Sequence, residues 1–294
     1  MSVRSCTYRL HFAHFISRCF LYPVLCYLVH YRWKVVRENL HIAFPDKNSK
    51  ECRQLEKAFY RAFADMIMEV LVGRHFSETD MRRLVHIKNK EEVAQRCKQY
   101  GGCFFMLGHF LNWEWAVDYA NQFKDFGIES NTVYKPLSNK FFDKKMLSIR
   151  KQRGGTMVPM DRLLRTMVTN RANGKTSVYA MLADQRPRKQ SAKIQVIFMG
   201  QEVGMLVGSE QLARRFEYPV YYAFMSAPEP GHYEVDFQLI YDPTTEPNLP
   251  QGTITERFTR CLEKNILLNP SRWLWSHRRF LHAKPHHSSP AKKL

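Results

Sequence analysis

A histidine and a glutamate are the residues of this chain whose types and spacing best suit acid–base chemistry. His109 follows a short apolar run, and Glu114 lies five positions later. Residues five apart on one ideal helix point about 140° away from each other. The pair can therefore meet only if His109 lies in a turn before the helix, and Gly108 would ease that turn. A carboxylate bound to one ring nitrogen fixes the tautomer and leaves the other nitrogen to accept a proton, so the pair predicts a general base.

The same two residues also have a purely structural interpretation. A histidine before a helix is more often a satisfied turn residue, and a glutamate in the first turn favours the helix dipole. Metal binding is a weaker alternative, because no other histidine or cysteine stands nearby at ligand spacing. The spacing alone leaves these alternatives open.

The elements that would position the pair alternate between apolar strands and amphipathic helices. Strands are predicted over residues 103–107, 129–134, 177–183, 194–198, 220–225 and 233–240. Helices are predicted over residues 33–76, 91–100, 161–173, 209–216 and 253–268, with another that begins at Trp113 after Asn112 as its N-cap. This alternation predicts an α/β fold with a mixed central sheet flanked by helices. His109 then lies at the carboxyl end of a strand, where open α/β sheets bind ligands.

Further candidate site residues follow the histidine along the chain. Asp184 ends the predicted strand over 177–183 and so belongs to the same sheet edge as His109; it suits binding of an arginine or of substrate hydroxyls, or a structural cap. The basic residues that suit a phosphate or an oxyanion stand in two runs and include Arg150, Arg153, Arg186 and Arg188. Such runs are also common on solvated surfaces.

The composition restricts the partners of the chain. Its 294 residues are 45% hydrophobic, which fits a folded protein with a sizeable core, and carry a formal charge of +18. This excess predicts an anionic partner, either a membrane surface or a nucleic acid. The seven cysteines contain no C-x-x-C pair, which predicts mostly unpaired thiols rather than a disulfide framework or a zinc site.

Three segments are predicted along the chain. Residues 1–32 form a membrane-anchoring or interfacial helix, because the clean apolar stretch from Cys19 to Val29 is shorter than the roughly 20 residues of a spanning helix. A cleaved signal peptide and a buried helix are the alternatives. Residues 33–284 form the main domain, and residues 285–294 a disordered basic tail.

Several sequence blocks resemble a known family. GHFLNWE (108–114) resembles the H-x4-D/E motif of the glycerolipid acyltransferase superfamily, and its surroundings resemble the branch that adds secondary acyl chains to lipid A. The other blocks that resemble this branch, in the same order, are NLHIAFPDKN (39–48), YKPLSNKFFDKKMLSIRKQRG (134–154), MLADQ (181–185) and PSRWLWSHRRF (270–280). The similarity extends from about residue 31 to residue 284, which makes residues 33–284 an acyltransferase domain.

The resemblance implies a chemistry for the site. It makes the chain a membrane-associated acyltransferase that moves a fatty acyl chain from a thioester of acyl carrier protein or coenzyme A to a hydroxyl of a lipid A precursor. His109 is then the general base, Glu114 orients it, and no enzyme nucleophile is acylated. Arg150 or Arg153 matches the arginine of the second block, which suits an oxyanion.

The resemblance also implies partners and a place in the cell. The acceptor lipid, acyl carrier protein and the anionic surface of a bacterial inner membrane are the expected partners, at the cytoplasmic face, with peripheral or single-anchor attachment and no nucleic acid. No metal or organic cofactor is expected, because the thioester already carries an activated carbonyl. The alternatives are an aminolipid, lysophospholipid or other glycolipid acceptor and, outside the class, a non-catalytic basic protein that binds lipid or nucleic acid.

Overall fold

The computed structural model describes residues 3–136, 139–152, 154–187, 191 and 193–285. The strands are β1 (Val85–Ile87), β2 (Gly102–Leu107), β3 (Glu129–Tyr134), β4 (Thr156–Pro159), β5 (Ser177–Leu182), β6 (Lys193–Phe198), β7 (Gln201–Leu206), β8 (Val220–Glu229), β9 (His232–Tyr241) and β10 (Lys284–Pro285). The helices are α1 (Val3–Ile16), α2 (Trp33–Ala43), α3 (Ser49–Gly73), α4 (Glu78–Leu84), α5 (Lys90–Tyr100), α6 (Ala116–Asn121), α7 (Lys140–Gln152), α8 (Leu163–Ala172), α9 (Gly208–Phe216) and α10 (Thr253–Leu268).

A seven-stranded sheet in the order β1-β9-β8-β2-β5-β3-β4 forms the centre of the molecule. Strands β8, β2, β5, β3 and β4 are parallel to one another, whereas β9 is antiparallel to β8 and parallel to β1. Every residue of β2 is buried, as expected for a central strand covered on both faces. The prediction of a mixed α/β sheet flanked by helices is confirmed.

One predicted strand belongs to a different sheet. Strand β6 pairs in antiparallel fashion with β7, and β10 completes a separate three-stranded sheet. Residues 194–198 were predicted as a strand of the central sheet, which is wrong, and β7 was not predicted. The two strands form a hairpin whose turn at Met199 and Gly200 has positive φ at both residues, the geometry of a tight two-residue connection.

The predicted helix over residues 33–76 is two helices. Helix α2 ends at Ala43 and α3 begins at Ser49. Pro45 lies between them, and proline cannot continue a helix interior. Asn48 then caps α3: its side chain accepts hydrogen bonds from the backbone N–H groups of Lys50 and Glu51, and its own backbone N–H donates to the Glu51 carboxylate.

The N-terminal segment is a helix that packs on α3 with one face and exposes aromatic side chains on the other. Helix α1 continues through two π-helical turns, Ser17–Leu21 and Val24–Leu28. Its inner residues include Leu10 and His14, which are buried, whereas the outer aromatic residues Tyr8, Phe12 and Phe15 are 70%, 66% and 59% exposed.

Length and apolar composition decide whether these helices could cross a membrane. Among the described residues, no single helix is both long and apolar enough to cross one. One bent pair, formed by Cys6–Leu28 and Trp33–Ala43 at 86°, meets the requirement by length and composition only.

Two cysteines depart from the prediction of unpaired thiols. The sulfur atoms of Cys97 and Cys103 are bonded and tie the last turn of α5 to the start of β2. The other five cysteines, all among the described residues, are not disulfide-bonded. Of the predicted C-terminal tail only Pro285 is described, so the prediction of disorder lies outside the described residues.

Candidate active site

The register of two neighbouring strands brings His109 and Asp184 together. Strands β2 and β5 are parallel neighbours in which Leu107 lies opposite Leu182. His109 and Asp184 each follow two residues after these strand ends. The same number of steps from matched positions places the two side chains side by side at the carboxyl edge of the sheet, where both were predicted.

Asp184 binds His109 through both of its carboxylate oxygens. Oδ1 lies 2.6 Å from the ring Nδ1, and Oδ2 accepts the backbone N–H of His109 at 2.8 Å. The His109 side chain is 12% exposed and that of Asp184 is 3% exposed. This two-point contact fixes the histidine ring relative to its own backbone.

The environment of Asp184 keeps its carboxylate ionised. Burial alone raises its pKa, but the neighbouring His109 ring, the hydrogen bonds from His109 and a hydrogen bond from Trp273 outweigh that effect and lower the pKa to about 2. Trp273 Nε1–H donates to Oδ2 at 2.7 Å. A charged acceptor at neutral pH therefore faces Nδ1 of His109.

The opposite ring nitrogen of His109 accepts a hydrogen bond. The Gln185 amide nitrogen lies 3.0 Å from Nε2 of His109. An amide N–H can only donate, so Nε2 offers its lone pair and Nδ1 carries the proton that is donated to Asp184. This is the tautomer that a general base requires.

The turn that carries His109 is fixed by the segment around Trp273. Phe110 forms an isolated antiparallel bridge with Trp273. The backbone N–H of Leu111 donates to Arg272 at 2.9 Å, and that of Leu274 donates to the His109 carbonyl at 3.0 Å. Leu111 itself has a left-handed φ of 52°, an uncommon conformation for leucine that this surrounding structure must hold.

Gly108 is required by close packing rather than by its backbone angles. A Cβ atom at this position would lie 2.5 Å from Leu262 Cδ1 and 3.4 Å from Asp184 Oδ2. A side chain here would displace the end of the Leu262 side chain on α10 and would contact the Asp184 carboxylate. The predicted role of Gly108 in easing a bend is therefore replaced by one in close approach.

Glu114 has a different partner from the predicted one. It lies in a short 3₁₀ turn over Trp113–Trp115, and its carboxylate accepts hydrogen bonds from Nε and Nη2 of Arg150 at 2.8–2.9 Å. Trp113 Nε1–H adds a third donor at 3.1 Å, and the Trp113 ring lies 5.4 Å from the His109 ring. The predicted contact between Glu114 and His109 is replaced by a Glu114–Arg150 ion pair, because Asp184 already occupies Nδ1.

The remaining predicted arginines are only partly described. Arg153 and Arg188 lie outside the described residues. Arg186 is half-buried beside the site, and its backbone N–H donates to Nε2 of His277 at 3.1 Å. Burial lowers the pKa of His277 to about 4, so this histidine is a neutral acceptor at neutral pH.

Sequence reasoning missed the roles of Gln185 and Trp273. Gln185 stands inside the MLADQ block, but its contact with His109 depends on the strand register. Trp273 and Trp275, in the PSRWLWSHRRF block, are both buried, at 2% and 0% exposure. They are core residues, and Trp273 also supports the candidate base through Asp184.

Comparisons with known proteins assign the chain to a family. Residues 11–282 match the family described as bacterial lipid A biosynthesis acyltransferase. The chain is 24% identical over 254 residues to the lipid A biosynthesis lauroyltransferase of Escherichia coli K12, covering 85% of this chain and 79% of that protein. It is 19% identical over 283 residues to the lipid A biosynthesis palmitoleoyltransferase of the same strain, covering 88% and 85%, and the same figures apply to a lipid A biosynthesis acyltransferase of Shigella flexneri.

Proposed function

The chain belongs to the bacterial lipid A biosynthesis acyltransferase family and is an acyltransferase, and from this premise we propose its reaction. A fatty acyl chain passes from a thioester of acyl carrier protein or coenzyme A to a hydroxyl of a lipid A precursor. The observation that carries the proposal is the His109–Asp184 pair, in which Nδ1 is bound to a buried carboxylate and Nε2 accepts a hydrogen bond.

His109 acts as the general base in this proposal. The acceptor hydroxyl takes the place of the Gln185 amide at Nε2 and gives up its proton to that nitrogen as its oxygen attacks the thioester carbonyl. When the tetrahedral intermediate collapses, the carbon–sulfur bond breaks. The departing thiolate then takes the proton back from the imidazolium, which restores the enzyme. No acyl group is carried by the protein.

Asp184 orients His109 and stabilises the imidazolium that forms. Its low pKa keeps it charged while the ring is protonated. The hydrogen bond from Trp273 to Oδ2 holds the Asp184 carboxylate in the orientation that aligns His109. The role predicted for Glu114 is therefore proposed for Asp184.

The Glu114–Arg150 pair supplies a fixed cation that is connected to the base through Trp113, which donates to Glu114 and whose ring lies 5.4 Å from the His109 ring. Glu114 binds two nitrogen atoms of the guanidinium, so the position of Arg150 is set before any substrate arrives. We assign this cation to the developing oxyanion or to a phosphate of the acceptor. Arg153, Arg186 and Arg188 remain predicted anion-binding residues.

The exposed side chains and the net charge of the chain favour binding to a membrane. The exposed aromatic face of α1 and the formal charge of +18 fit attachment to an anionic bilayer at the cytoplasmic face of the inner membrane. The same charge favours an acidic carrier protein as donor. We propose no cofactor, because the thioester supplies the activated carbonyl.

A transfer assay tests the reaction. Purified protein in detergent is given a radiolabelled acyl carrier protein or coenzyme A thioester and three acceptors in parallel: a tetraacylated lipid A precursor, a lysophospholipid and a lyso-aminolipid. We expect transfer to the lipid A precursor and a loss of about 10² to 10⁴-fold in His109→Ala, the usual range for a general base. The control is His86→Ala, an exposed histidine on β1.

Each outcome of this assay has a distinct meaning. Transfer to another acceptor alone would overturn the proposed substrate and retain the enzyme class. Equal activity in His109→Ala and His86→Ala would overturn the proposed base.

A further inference from the structure

A buried glutamate behind the catalytic turn joins three parts of the chain. Glu69, on α3, is 2% exposed. Its Oε1 lies 2.8 Å from Nε2 of His14, and its Oε2 accepts Nδ2–H of Asn112 at 2.8 Å and the hydroxyl of Tyr233. A carboxyl group this deep is costly unless donors surround it, and here three different segments supply them.

Asn112 connects this glutamate to the base. It lies three residues after His109, is fully buried, and was predicted to cap the following helix. Its side chain makes no cap hydrogen bond and donates to Glu69 instead. The strained residue Leu111 lies between them, so the turn is held by Asp184 at its start and by Glu69 at its end.

His14 connects the same glutamate to the N-terminal helix. The side chains of His14 and Glu69 are 7% and 3% exposed, so their contact is shielded from water. His14 lies on the inner face of α1, opposite the exposed aromatic residues Phe12 and Phe15. The helix that presents an apolar face outward thus reaches the catalytic turn through one carboxyl group.

We infer that Glu69 is a positioning residue for acyl transfer, which holds the His109 turn through Asn112 and makes helix α1 part of the active-site scaffold through His14. This inference rests on the proposed function. A replacement of buried polar groups by apolar ones is often neutral for stability, so stability alone does not explain this arrangement. Its specific consequence is the geometry of the turn, where a misplacement of about 1 Å can cost about 10²-fold in rate.

Asn112→Ala tests the link to the base. We expect kcat to fall about 10 to 100-fold with both KM values within about threefold, because the turn shifts while the binding surfaces remain. The control is Asn89→Ala, which likewise removes a side-chain amide, here one that bonds the backbone N–H and carbonyl of Phe237 on β9. Asn89→Ala is expected to retain kcat.

His14 gives a second test that does not depend on the folding of the Asn112 variant. His14→Ala is expected to lower kcat about tenfold, and His14→Gln, whose amide can still donate to Glu69, to restore most of it. If both residues act through Glu69, the double variant His14→Ala, Asn112→Ala loses less than the product of the two single losses.

Hydrogen–deuterium exchange gives a readout without substrate. Backbone amides of residues 108–115 are expected to exchange at least tenfold faster in Asn112→Ala and His14→Ala than in wild type or Asn89→Ala. Unchanged exchange in this segment, or equal kcat losses in Asn112→Ala and Asn89→Ala, overturns the inference. A failed transfer assay with changed exchange overturns the proposed function and leaves the positioning role supported.

Discussion

Two carboxylates near His109 differ in how the fold places them. Asp184 follows a central strand, is 3% exposed and contacts both the ring and the backbone of the histidine. Glu114 follows the histidine by five residues, is 14% exposed and binds Arg150 on α7. Asp184, which is distant from His109 in sequence, binds the histidine, whereas Glu114, which is near it in sequence, binds Arg150.

The difference shows what each kind of proximity can do. Parallel strands in register bring two side chains to one edge with little freedom, which suits the fixed orientation of a base. Glu114, just after the same turn, lies in the 3₁₀ segment, and its side chain binds Arg150 on helix α7 instead of His109. The comparison predicts that Asp184 controls the protonation of His109, whereas Glu114 controls the position of Arg150.

The largest loss of activity that tests this difference between Asp184 and Glu114 is expected from Asp184→Asn. The amide cannot accept from Nδ1–H with the same charge and favours the wrong ring tautomer, so kcat should fall about 10² to 10⁴-fold. Steady-state kinetics measures this loss, and thermal unfolding checks that the fold survives. A loss no larger than that of Glu114→Gln would contradict the assignment of Asp184.

A smaller effect is expected from Glu114→Gln. The substitution removes the charge that fixes Arg150 but leaves His109 and Asp184 bonded, so the transfer rate should fall about tenfold, consistent with loss of one charge-assisted hydrogen bond. The comparison is sharpened by the pH dependence of kcat, which should keep its shape in Glu114→Gln and change in Asp184→Asn. A changed shape in both variants would mean that Glu114 also acts on the base.

A double-mutant cycle tests whether Glu114 and Arg150 act as a pair. Arg150→Ala alone should cost about 10 to 100-fold, and adding Glu114→Ala should cost little more, because Glu114 has no cation left to position. Kinetics of the two single variants and the double variant give the coupling. Losses that multiply would show that the two residues act independently.

A separate effect, on stability rather than on rate, concerns acidic pH and His277. Its folded pKa of about 4 lies below the ordinary value of 6.5, so the unfolded chain binds the proton first as the pH falls. The free energy of unfolding should therefore decrease between pH 6.5 and pH 4 by up to about 3 kcal/mol, from roughly 1.4 kcal/mol per pKa unit, and level off below pH 4 for this group.

His277→Gln isolates this contribution. Glutamine can still accept the backbone N–H of Arg186 but does not titrate, so urea unfolding of the variant should show a flatter decrease over the same pH range. Equal pH dependence in the two proteins would show that His277 is not protonated on unfolding.

Local pattern was sufficient to predict much of the fold and part of the site. Apolar runs and helical spacing predicted β2, β5, β8, β9 and α10 closely, because burial fixes the residue types in such elements. The same reasoning placed His109 and Asp184 at one sheet edge. Pro45, which lies between α2 and α3, is the sequence signal that divides the predicted helix over residues 33–76 in two.

The spacing of residues along the sequence did not predict which side chains form hydrogen bonds in the site. The His109–Asp184 contact joins residues 75 positions apart and depends on which strands are neighbours and in what register. Asn112 was predicted to cap a helix, but its side chain makes no cap hydrogen bond and donates to the buried Glu69 on α3. Contacts between distant segments are set by tertiary packing, which one sequence does not display.

The most direct test of the site is nitrogen NMR of the His109 ring in labelled protein at neutral pH, with the signal assigned by loss in His109→Gln. We predict a single tautomer with the proton on Nδ1 in wild type and in Glu114→Gln, and loss of that tautomer in Asp184→Asn. The opposite pattern, in which the tautomer survives in Asp184→Asn and is lost in Glu114→Gln, would contradict the conclusion that Asp184 holds the base.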